Sequence, residues 1–227
     1  MHTLVLFDID GTLVRGGPAK ASFHAAMLET FGTVGAMDSY DFSGKTDPQI
    51  VRDLLAAAGL EDTVIDAGLA GLWDRYIGEL ESRISTNPMR LLPGVAGLIE
   101  ALDSEPEVAL GLVTGNIVRG AQVKLGSVGL AECFEVGGYG SDHEVREHLP
   151  AIALERAFEA WGVSFPPESA VIVGDTPRDV ECGKHAGTRT VAVATGNFGR
   201  EQLETTGADT VLDDFSDVAS VIEVLMP

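Results

Sequence analysis

The sequence is poor in basic residues, in cysteine and in long apolar runs, and each shortage excludes a class of protein. Only 15 of its 227 residues are Lys or Arg, against 35 Asp and Glu, so its formal net charge is -20. Nucleic acids and anionic membrane surfaces are bound through basic patches, and the sequence therefore predicts neither as a partner. A small anionic ligand stays compatible with this charge, because a bound cation can reverse the local field.

Cysteine occurs only at Cys133 and Cys182, without the spacing of a metal site. Two reduced thiols are typical of a reducing compartment. The first apolar run is short and lacks the basic flank of a signal peptide, and no run is long enough to cross a membrane. These features predict a cytoplasmic protein with no membrane partner, and they leave the choice between monomer and homodimer open.

A β-prone apolar segment near the start of the chain ends in two aspartates. Residues 3–7 predict a strand buried on both faces of a parallel sheet. Asp8 and Asp10 follow it, and Gly11 indicates that the chain then turns. Because unpaired carboxylates are costly to bury, we expect both at the strand's carboxyl end, where open α/β sheets bind ligands. The alternative is an ordinary strand with an Asp-Gly turn.

The remaining pattern predicts an α/β fold, a Rossmann-like parallel sheet with helices on both faces, interrupted by an all-helical cap. Residues 1–14 and 93–227 would form the core, and residues 15–92 the cap, joined through connectors near 14–18 and 87–93. Helices are predicted over residues 19–31, 47–59, 63–84, 94–102, 117–128, 150–161 and 179–186. Further strands are predicted over residues 108–113, 133–136, 170–173, 190–194 and 210–212.

Polar side chains follow three of the predicted strands. Thr114, Gly115 and Asn116 come after the strand over 108–113, and Asp175 and Asp179 follow the strand over 170–173. The carboxyl ends of parallel strands share one edge, so we expect these residues to meet Asp8 and Asp10 there. Clustered carboxylates repel each other unless a cation holds them, and an oxygen-only ligand set indicates Mg²⁺. For Asp175 and Asp179, a helix N-cap is the structural alternative.

Two segments together resemble the haloacid dehalogenase-like (HAD) hydrolase superfamily. Residues 8–13, DIDGTL, resemble its opening signature, and residues 174–179, GDTPRD, resemble its Gly-Asp-Thr-x-x-Asp pattern. The resemblance covers both ends of the chain and is weaker over residues 15–92, where the family places substrate selectivity.

The resemblance implies a role for each matching residue. Asp8 would attack phosphorus to form an aspartyl-phosphate, and Asp10 would protonate the leaving oxygen and then activate water. Mg²⁺ would be held by the Asp8 side chain, the Asp10 main-chain carbonyl and Asp175, with Asp179 in support. Thr114 and the N–H groups of Gly115 and Asn116 would bind phosphate oxygens.

One part of the family pattern is missing from this chain. The family has a lysine near the helix that precedes the segment of Asp175, but none of the four lysines lies there. Arg146 is the best substitute, because arginine stays charged and can bind phosphate through two donors. The alternative is that Arg146 is a solvated loop residue. Lys124 and Lys184 are predicted to lie on the surface of their helices.

A loop in the predicted cap, residues 42–47, places Gly44 and Lys45 ahead of a helix. It can point a cation and N–H groups at an anion, which favours substrate binding by Lys45, although a plain capped turn is an equal alternative. Asp47 is predicted as the N-cap of the helix, with Pro48 at its first position.

The sequence supports several functions, of which a Mg²⁺-dependent phosphatase is favoured. Its substrate would be a small phosphorylated metabolite, as for phosphoglycolate phosphatases. A phosphomutase of the β-phosphoglucomutase kind shares Asp8, Asp10 and the cap. A phosphonate hydrolase would need a cap lysine, for which only Lys20 and Lys45 are candidates. A non-catalytic protein is disfavoured by the intact aspartates, and a dehalogenase by the presence of Asp10.

Overall fold

The fold is built around a sheet of six parallel strands. The computed structural model describes residues 3–226, and everything below refers to that part of the chain. The spatial order of the strands is β5-β4-β1-β6-β7-β8. The strands are β1 Thr3–Phe7, β4 Val108–Thr114, β5 Val136–Tyr139, β6 Ala170–Gly174, β7 Arg189–Val193 and β8 Thr210–Leu212.

Helices cover both faces of this sheet, which confirms the predicted Rossmann-like architecture. The helices are α1 Ala19–Phe31, α2 Asp47–Ala57, α3 Asp62–Ile84, α4 Val95–Asp103, α5 Val118–Gly126, α6 Leu149–Trp161, α7 Pro177–Ala186, α8 Arg200–Glu204 and α9 Val218–Leu225. α8 and α9 are not predicted from the sequence. No helix among residues 3–226 has the length and apolar character needed to cross a membrane.

Strand β1 lies at the centre because both of its faces are apolar. Val5 and Phe7 belong to a hydrophobic cluster with residues of α4, α5 and α9, whereas Leu4 and Leu6 belong to a cluster with residues of α6 and α7. All four side chains are fully buried. Side chains alternate along a strand, so a continuous apolar run buries both faces and fixes the strand's position.

A third hydrophobic cluster lies within the insertion, residues 15–92. Helices α1, α2 and α3 pack around it, and Tyr76, Leu72 and Met27 are among its fully buried side chains. Ile117 is the one buried residue from outside the insertion in this cluster. The three predicted helices are confirmed, and Gly32 ends α1 in a left-handed conformation with φ 72°.

The expectation that residues 15–92 are all-helical is wrong at both ends. Strands β2, Val14–Gly16, and β3, Met89–Leu91, pair antiparallel with each other, so the two connectors form one ribbon. Segments of three residues are too short to show a periodic pattern, and their pairing partner lies far along the chain.

The strand predicted over residues 133–136 is also misplaced. Residues 131–133 form a short 3-10 turn, and β5 begins at Val136. The propensity of Gly137 and Gly138 argues against a strand. A Cβ at Gly138 would lie 2.1 Å from the Leu149 carbonyl oxygen, so glycine lets α6 pack directly on this strand.

Candidate active site

The carboxyl ends of three adjacent strands form the floor of a cleft. β1 lies between β4 and β6, and Phe7 is in register with both Leu112 and Val173. Asp8 and Asp175 follow the ends of β1 and β6, while Thr114 is the last residue of β4. The cleft has a volume of about 460 Å³ and is covered by residues of the insertion. The predicted meeting of these strand ends is thus observed.

Three carboxylates gather at this edge. Oxygens of Asp8, Asp175 and Asp179 lie within 4.8 Å of one another, and all three residues are buried. Burial, with repulsion from neighbouring carboxylates, raises the pKa of Asp8 to about 6 and that of Asp175 to about 8. The described surroundings therefore do not fully compensate the charge of three ionised carboxylates.

Two glycines fix the position of the Asp175 carboxylate. A Cβ at Gly11, where φ is 91°, would lie 2.4 Å from Asp175 Oδ2, and one at Gly196 would lie 1.6 Å from it. The Thr12 hydroxyl donates to Asp175 Oδ1 over 3.2 Å. Only residues without a side chain allow the main chain to come this close, so the cradle around this carboxylate depends on both glycines.

Arg146 is buried against the acidic cluster, so the alternative of a solvated loop residue is wrong. Its Nη2 lies 3.1 Å from Asp8 Oδ1 and 2.5 Å from Asp179 Oδ1. Burial disfavours its charge, but Asp179 and Asp8 outweigh burial and raise its pKa. The Nε atom is buried without a hydrogen-bond partner in the described structure. Arg146 thus places one positive charge among three carboxylates.

These residues fit a hard divalent cation. Three buried carboxylates face a single guanidinium, and every candidate ligand atom is an oxygen. Mg²⁺ favours such oxygen ligands and is held through a few carboxylates together with water and phosphate. Asp8, Asp175 and Asp179 could therefore hold it, while the Asp10 carboxylate is engaged elsewhere.

Asp10 belongs to a second polar group on the other side of the strand end. Its Oδ2 accepts from Lys124 Nζ over 2.5 Å and from Asn116 Nδ2 over 2.8 Å. Lys124 also donates to Asn116 Oδ1 over 2.6 Å. The second aspartate of the motif thus has its own cation, separate from Arg146.

The prediction that Lys124 lies on the surface is wrong, because its side chain is buried. Burial alone would lower its pKa, but Asp10, Tyr76 and Asp47 raise it overall. Sequence reasoning missed this residue, although a signal exists. Lys124 lies three and four positions after Ala121 and Gly120, on the inward face of α5. Lys184 is exposed, as predicted.

The residues after β4 contact each other and the insertion. The buried Thr114 hydroxyl accepts from Asn116 Nδ2 over 2.9 Å. A Cβ at Gly115 would lie 2.1 Å from the Lys45 carbonyl oxygen, and the Asp47 N–H donates to the Gly115 carbonyl over 2.7 Å. The insertion is therefore closed onto this strand end.

The loop over residues 42–47 makes several of these closing contacts. Arg146 donates to the Gly44 carbonyl over 3.2 Å, and Thr46 donates to the Glu144 carbonyl over 2.6 Å. Lys45 Nζ lies 2.9 Å from Asp53 and 2.6 Å from the Tyr40 hydroxyl. The charge of Lys45 is thus already paired within the insertion.

The N-cap of α2 is Thr46, not Asp47 as predicted. The Thr46 hydroxyl accepts from the Gln49 N–H, whereas Asp47 is the first residue of the helix. Asp47 instead lines the cleft, and its Oδ2 accepts from the Ile117 N–H over 2.9 Å. Burial raises its pKa to about 6.

Helix α7 is likewise capped by a threonine. Thr176 is its N-cap, and Asp179 accepts from the Thr176 N–H and hydroxyl in a capping box. The N-cap alternative is therefore wrong for both Asp175 and Asp179, although Asp179 does stabilise this helix start. It combines that contact with its ion pair to Arg146.

Comparisons with known proteins agree with this arrangement. A sequence profile of the family described as haloacid dehalogenase-like hydrolase matches residues 5–193. Phosphoglycolate phosphatase from Synechococcus elongatus is 28% identical, with 98% of each chain covered. N-acetylmuramic acid 6-phosphate phosphatase from Pseudomonas putida is 30% identical, with 96% of this chain and 95% of the relative covered.

The fold is also similar to solved structures. The crystal structure of a predicted phosphoglycolate phosphatase from Haemophilus somnus has a TM-score of 0.69 at 22% identity, with 97% of each chain covered. The match over residues 5–193 spans both aspartate motifs and the insertion between them. The chain therefore belongs to the haloacid dehalogenase-like hydrolases.

Proposed function

We propose that the protein is a Mg²⁺-dependent phosphatase that hydrolyses a small phosphomonoester through an aspartyl-phosphate. The observation that carries this proposal is the buried cluster of Asp8, Asp175 and Asp179, of which Asp8 and Asp175 line a small cleft together with Asp10. The two relatives named above are phosphatases of small phosphorylated molecules, which supports the same chemistry.

In this proposal the two aspartates of the first motif divide the reaction. Asp8 attacks phosphorus, and the leaving alcohol oxygen takes a proton from Asp10. Asp10 then removes a proton from water, which attacks the aspartyl-phosphate, releases phosphate and restores Asp8. Their separate surroundings fit this division, since Asp8 contacts Arg146 whereas Asp10 contacts Lys124 and Asn116.

The other residues hold charge and position the phosphoryl group. Asp8, Asp175 and the Asp10 main-chain carbonyl would hold Mg²⁺, with Asp179 in support. The ion would offset the negative charge that crowds this site. Arg146 takes the place of the family lysine and stabilises charge beside Asp8. Thr114 and the N–H groups of Gly115 and Asn116 bind phosphoryl oxygens.

The insertion completes the site as a cap domain. We assign residues 15–92 to the cap and residues 1–14 with 93–227 to the core. Separate hydrophobic clusters in the two parts support this division. Lys45 lines the cleft and contributes to substrate binding, with its charge shared with Asp53. Closure of the cap favours small substrates over macromolecules.

Phosphate release from a panel of small phosphomonoesters, with Mg²⁺ or with EDTA, tests this proposal. We expect turnover with Mg²⁺ only, and its loss by at least about a thousandfold in Asp8→Asn. Asp103→Asn, an exposed carboxylate at the end of α4, is the matched control and should keep wild-type turnover. Wild-type turnover in Asp8→Asn would refute the nucleophile, and an isomerised sugar phosphate in place of free phosphate would show a mutase.

A further inference from the structure

Most Lys and Arg side chains of this acidic protein form ion pairs with carboxylates, and two of the exceptions lie at the cleft. Within residues 3–226, ten of the fifteen Lys and Arg side chains form ion pairs with carboxylates. Two others, Lys184 and Arg189, donate to main-chain carbonyls. Arg15, Lys20 and Arg90 have neither kind of partner in the described structure. Two of these three, Arg15 and Lys20, line the cleft.

The position of Arg15 is unfavourable without an anion. The antiparallel register of β2 and β3 places Arg15 directly opposite Arg90, and both are exposed. Like charges at directly opposite positions destabilise an antiparallel pair. The protein has 35 acidic residues, yet none of them forms an ion pair with either arginine within residues 3–226. The ribbon thus keeps a local excess of positive charge beside the cleft.

Lys20 is held at the cleft by an aromatic ring. It lies in the first turn of α1, and its Nζ is 5.3 Å from the centroid of the Phe42 ring, which also lines the cleft. A cation over a ring face is attracted to it without losing its charge. Lys20 therefore remains available to an anion in the cleft.

The cations at the floor of the cleft are already engaged. Arg146 contacts Asp8 and Asp179, and Lys124 contacts Asp10. The proposed phosphoryl site needs these groups, but Arg15 and Lys20 come from the connector and the insertion instead. With a cleft of about 460 Å³, a small ligand can reach both groups of residues.

We infer that Arg15 and Lys20 bind a second anionic group of the substrate, so that the substrates are small phosphomonoesters with an anionic tail. The inference rests on the proposed function for the identity of the first group, the phosphoryl ester. The tail can be a carboxylate or a further phosphate, since both accept hydrogen bonds from these side chains. Arg15 and Lys20 are in this sense specificity-determining residues.

The test measures binding in the Asp8→Asn background, so that it does not depend on turnover. Dissociation constants are measured by calorimetry with Mg²⁺ for 2-phosphoglycolate, ethyl phosphate, phosphoethanolamine and propanediol bisphosphate. The tails of these four ligands are, in this order, a carboxylate, a neutral alkyl group, an ammonium group and a phosphate. We expect the two anionic tails to bind at least about tenfold more tightly than the neutral one, the stronger of the two showing which anion is preferred.

Arg15→Gln and Lys20→Gln should each lower the ratio of the affinity for an anionic tail to the affinity for the neutral tail by about tenfold. Arg15→Glu should reverse the order, so that phosphoethanolamine binds more tightly than 2-phosphoglycolate. Arg75→Gln and Lys184→Gln are matched controls, since neither residue lines the cleft, and their ratios should equal that of the parent. Arg15→Gln should also raise Tm by about 1–2 °C, because it removes the like-charge pair with Arg90.

The outcomes separate the two proposals. The inference is overturned if both glutamine variants keep the parent's ratio of affinities for anionic and neutral tails. It is also overturned if they weaken the binding of every ligand equally, because both cations would then contact the phosphoryl group. If wild type hydrolyses none of the four esters while the binding ratios change as expected, the proposed function fails and the anion site stands. If wild type hydrolyses all of them without preference for an anionic tail, the function stands and the inference fails.

Discussion

At the scale of single residues, the site depends on giving two neighbouring aspartates different partners. Asp8 is buried beside Arg146, whereas Asp10, two residues later, is more exposed and contacts Lys124. In the proposed reaction one aspartate is the nucleophile and the other carries the proton, and separate surroundings are how proteins give two carboxylates different roles. We therefore expect Lys124 to position Asp10 for its proposed role.

Lys124→Met tests this positioning role. Methionine fills a similar volume but leaves the Asp10 carboxylate without its cation, so we expect kcat to fall by about tenfold to a hundredfold with little change in KM. Steady-state kinetics on a small phosphomonoester measure both constants. Lys184→Met is the matched control, and a rise in KM at constant kcat would instead indicate a role in substrate binding.

Mg²⁺ binding can be tested without turnover. An ion that binds only the folded state raises Tm, and the rise grows with its concentration. We expect 10 mM Mg²⁺, compared with EDTA, to raise Tm of wild type by about 2–5 °C, and Asp175→Asn to abolish most of that shift. Differential scanning calorimetry measures it. The same shift in both proteins would exclude Asp175 as a ligand.

Asp47 should make stability depend on pH. Its pKa is raised from 3.8 to about 6 in the folded protein, mainly by burial. The folded state then binds more protons than the unfolded state between these values, so this contribution favours folding at low pH and falls as pH rises through about 4–6. Asp47→Asn should therefore stabilise the protein by about 1 kcal/mol at pH 8 and not at pH 3.5. Urea unfolding at both pH values checks this, and equal effects at both would contradict it.

The sequence predicts the strand-end residues well and the supporting residues poorly. Asp8, Thr114 and Asp175 follow from apolar strands that end in polar groups, and the structure brings them to one edge. The burial of Lys124 is hard to predict because lysine is exposed in most proteins, and the two partners that compensate its charge, Asp10 and Asn116, come from other elements. The family resemblance predicts that Arg146 lies near the site, but its ion pair with Asp179 is seen only in the structure.

At the scale of elements, the loop before α2 touches the end of β4 through glycine. Gly115 has no room for a side chain, because a Cβ would lie 2.1 Å from the Lys45 carbonyl oxygen. The Asp47 N–H also donates to the Gly115 carbonyl. This contact sets how closely the insertion approaches the strand ends, and hence the shape of the cleft.

Gly115→Ala should displace the loop from the strand end. We expect kcat/KM to fall by at least about tenfold while the far-UV circular dichroism stays unchanged, since the added methyl group clashes with the main chain of Lys45 and Thr46 in the loop. Gly126→Ala is the matched control, because a Cβ there meets nothing within 4 Å and alanine favours the helix. Wild-type kcat/KM in Gly115→Ala would show that the cleft tolerates a more open loop.

Elements with a long periodic pattern were predictable, and short ones that depend on pairing were not. Helix α3, Asp62–Ile84, was predicted to within one residue of its start. The ribbon of β2 and β3 depends on contacts between residues more than seventy positions apart, and β5 contains two glycines that local propensity opposes. In each missed case the tertiary contact decides the structure.

At the scale of the whole molecule, the insertion and the sheet have separate hydrophobic cores with one ribbon between them. Within residues 3–226, Ile117 is the one buried residue from outside the insertion in the insertion's hydrophobic cluster, so the sheet should fold without the insertion. Joining residue 16 to residue 89 through an Asn-Gly turn should give a folded protein, since that turn suits a two-residue hairpin.

This shortened protein should keep a Mg²⁺-dependent Tm but lose most of its preference among phosphomonoesters. The carboxylate cluster lies entirely outside residues 17–88 and is kept, whereas Lys20, Phe42 and Lys45 are removed. Calorimetry with and without Mg²⁺, together with kcat/KM for esters with anionic and neutral tails, measures both effects. A chain that fails to fold would show that the sheet needs the insertion.

The same ribbon makes the insertion suitable for exchange by recombination. Gly16 and Met89 are paired in the ribbon, so residues 17–88 leave and rejoin the rest of the chain at a single point. A cassette from a relative could be joined there without altering the strands that carry the carboxylates. If Arg15 and Lys20 select the substrate as inferred, such a chimera would draw its selectivity from two parents, because Arg15 stays with the host chain while the residue at position 20 comes from the donor.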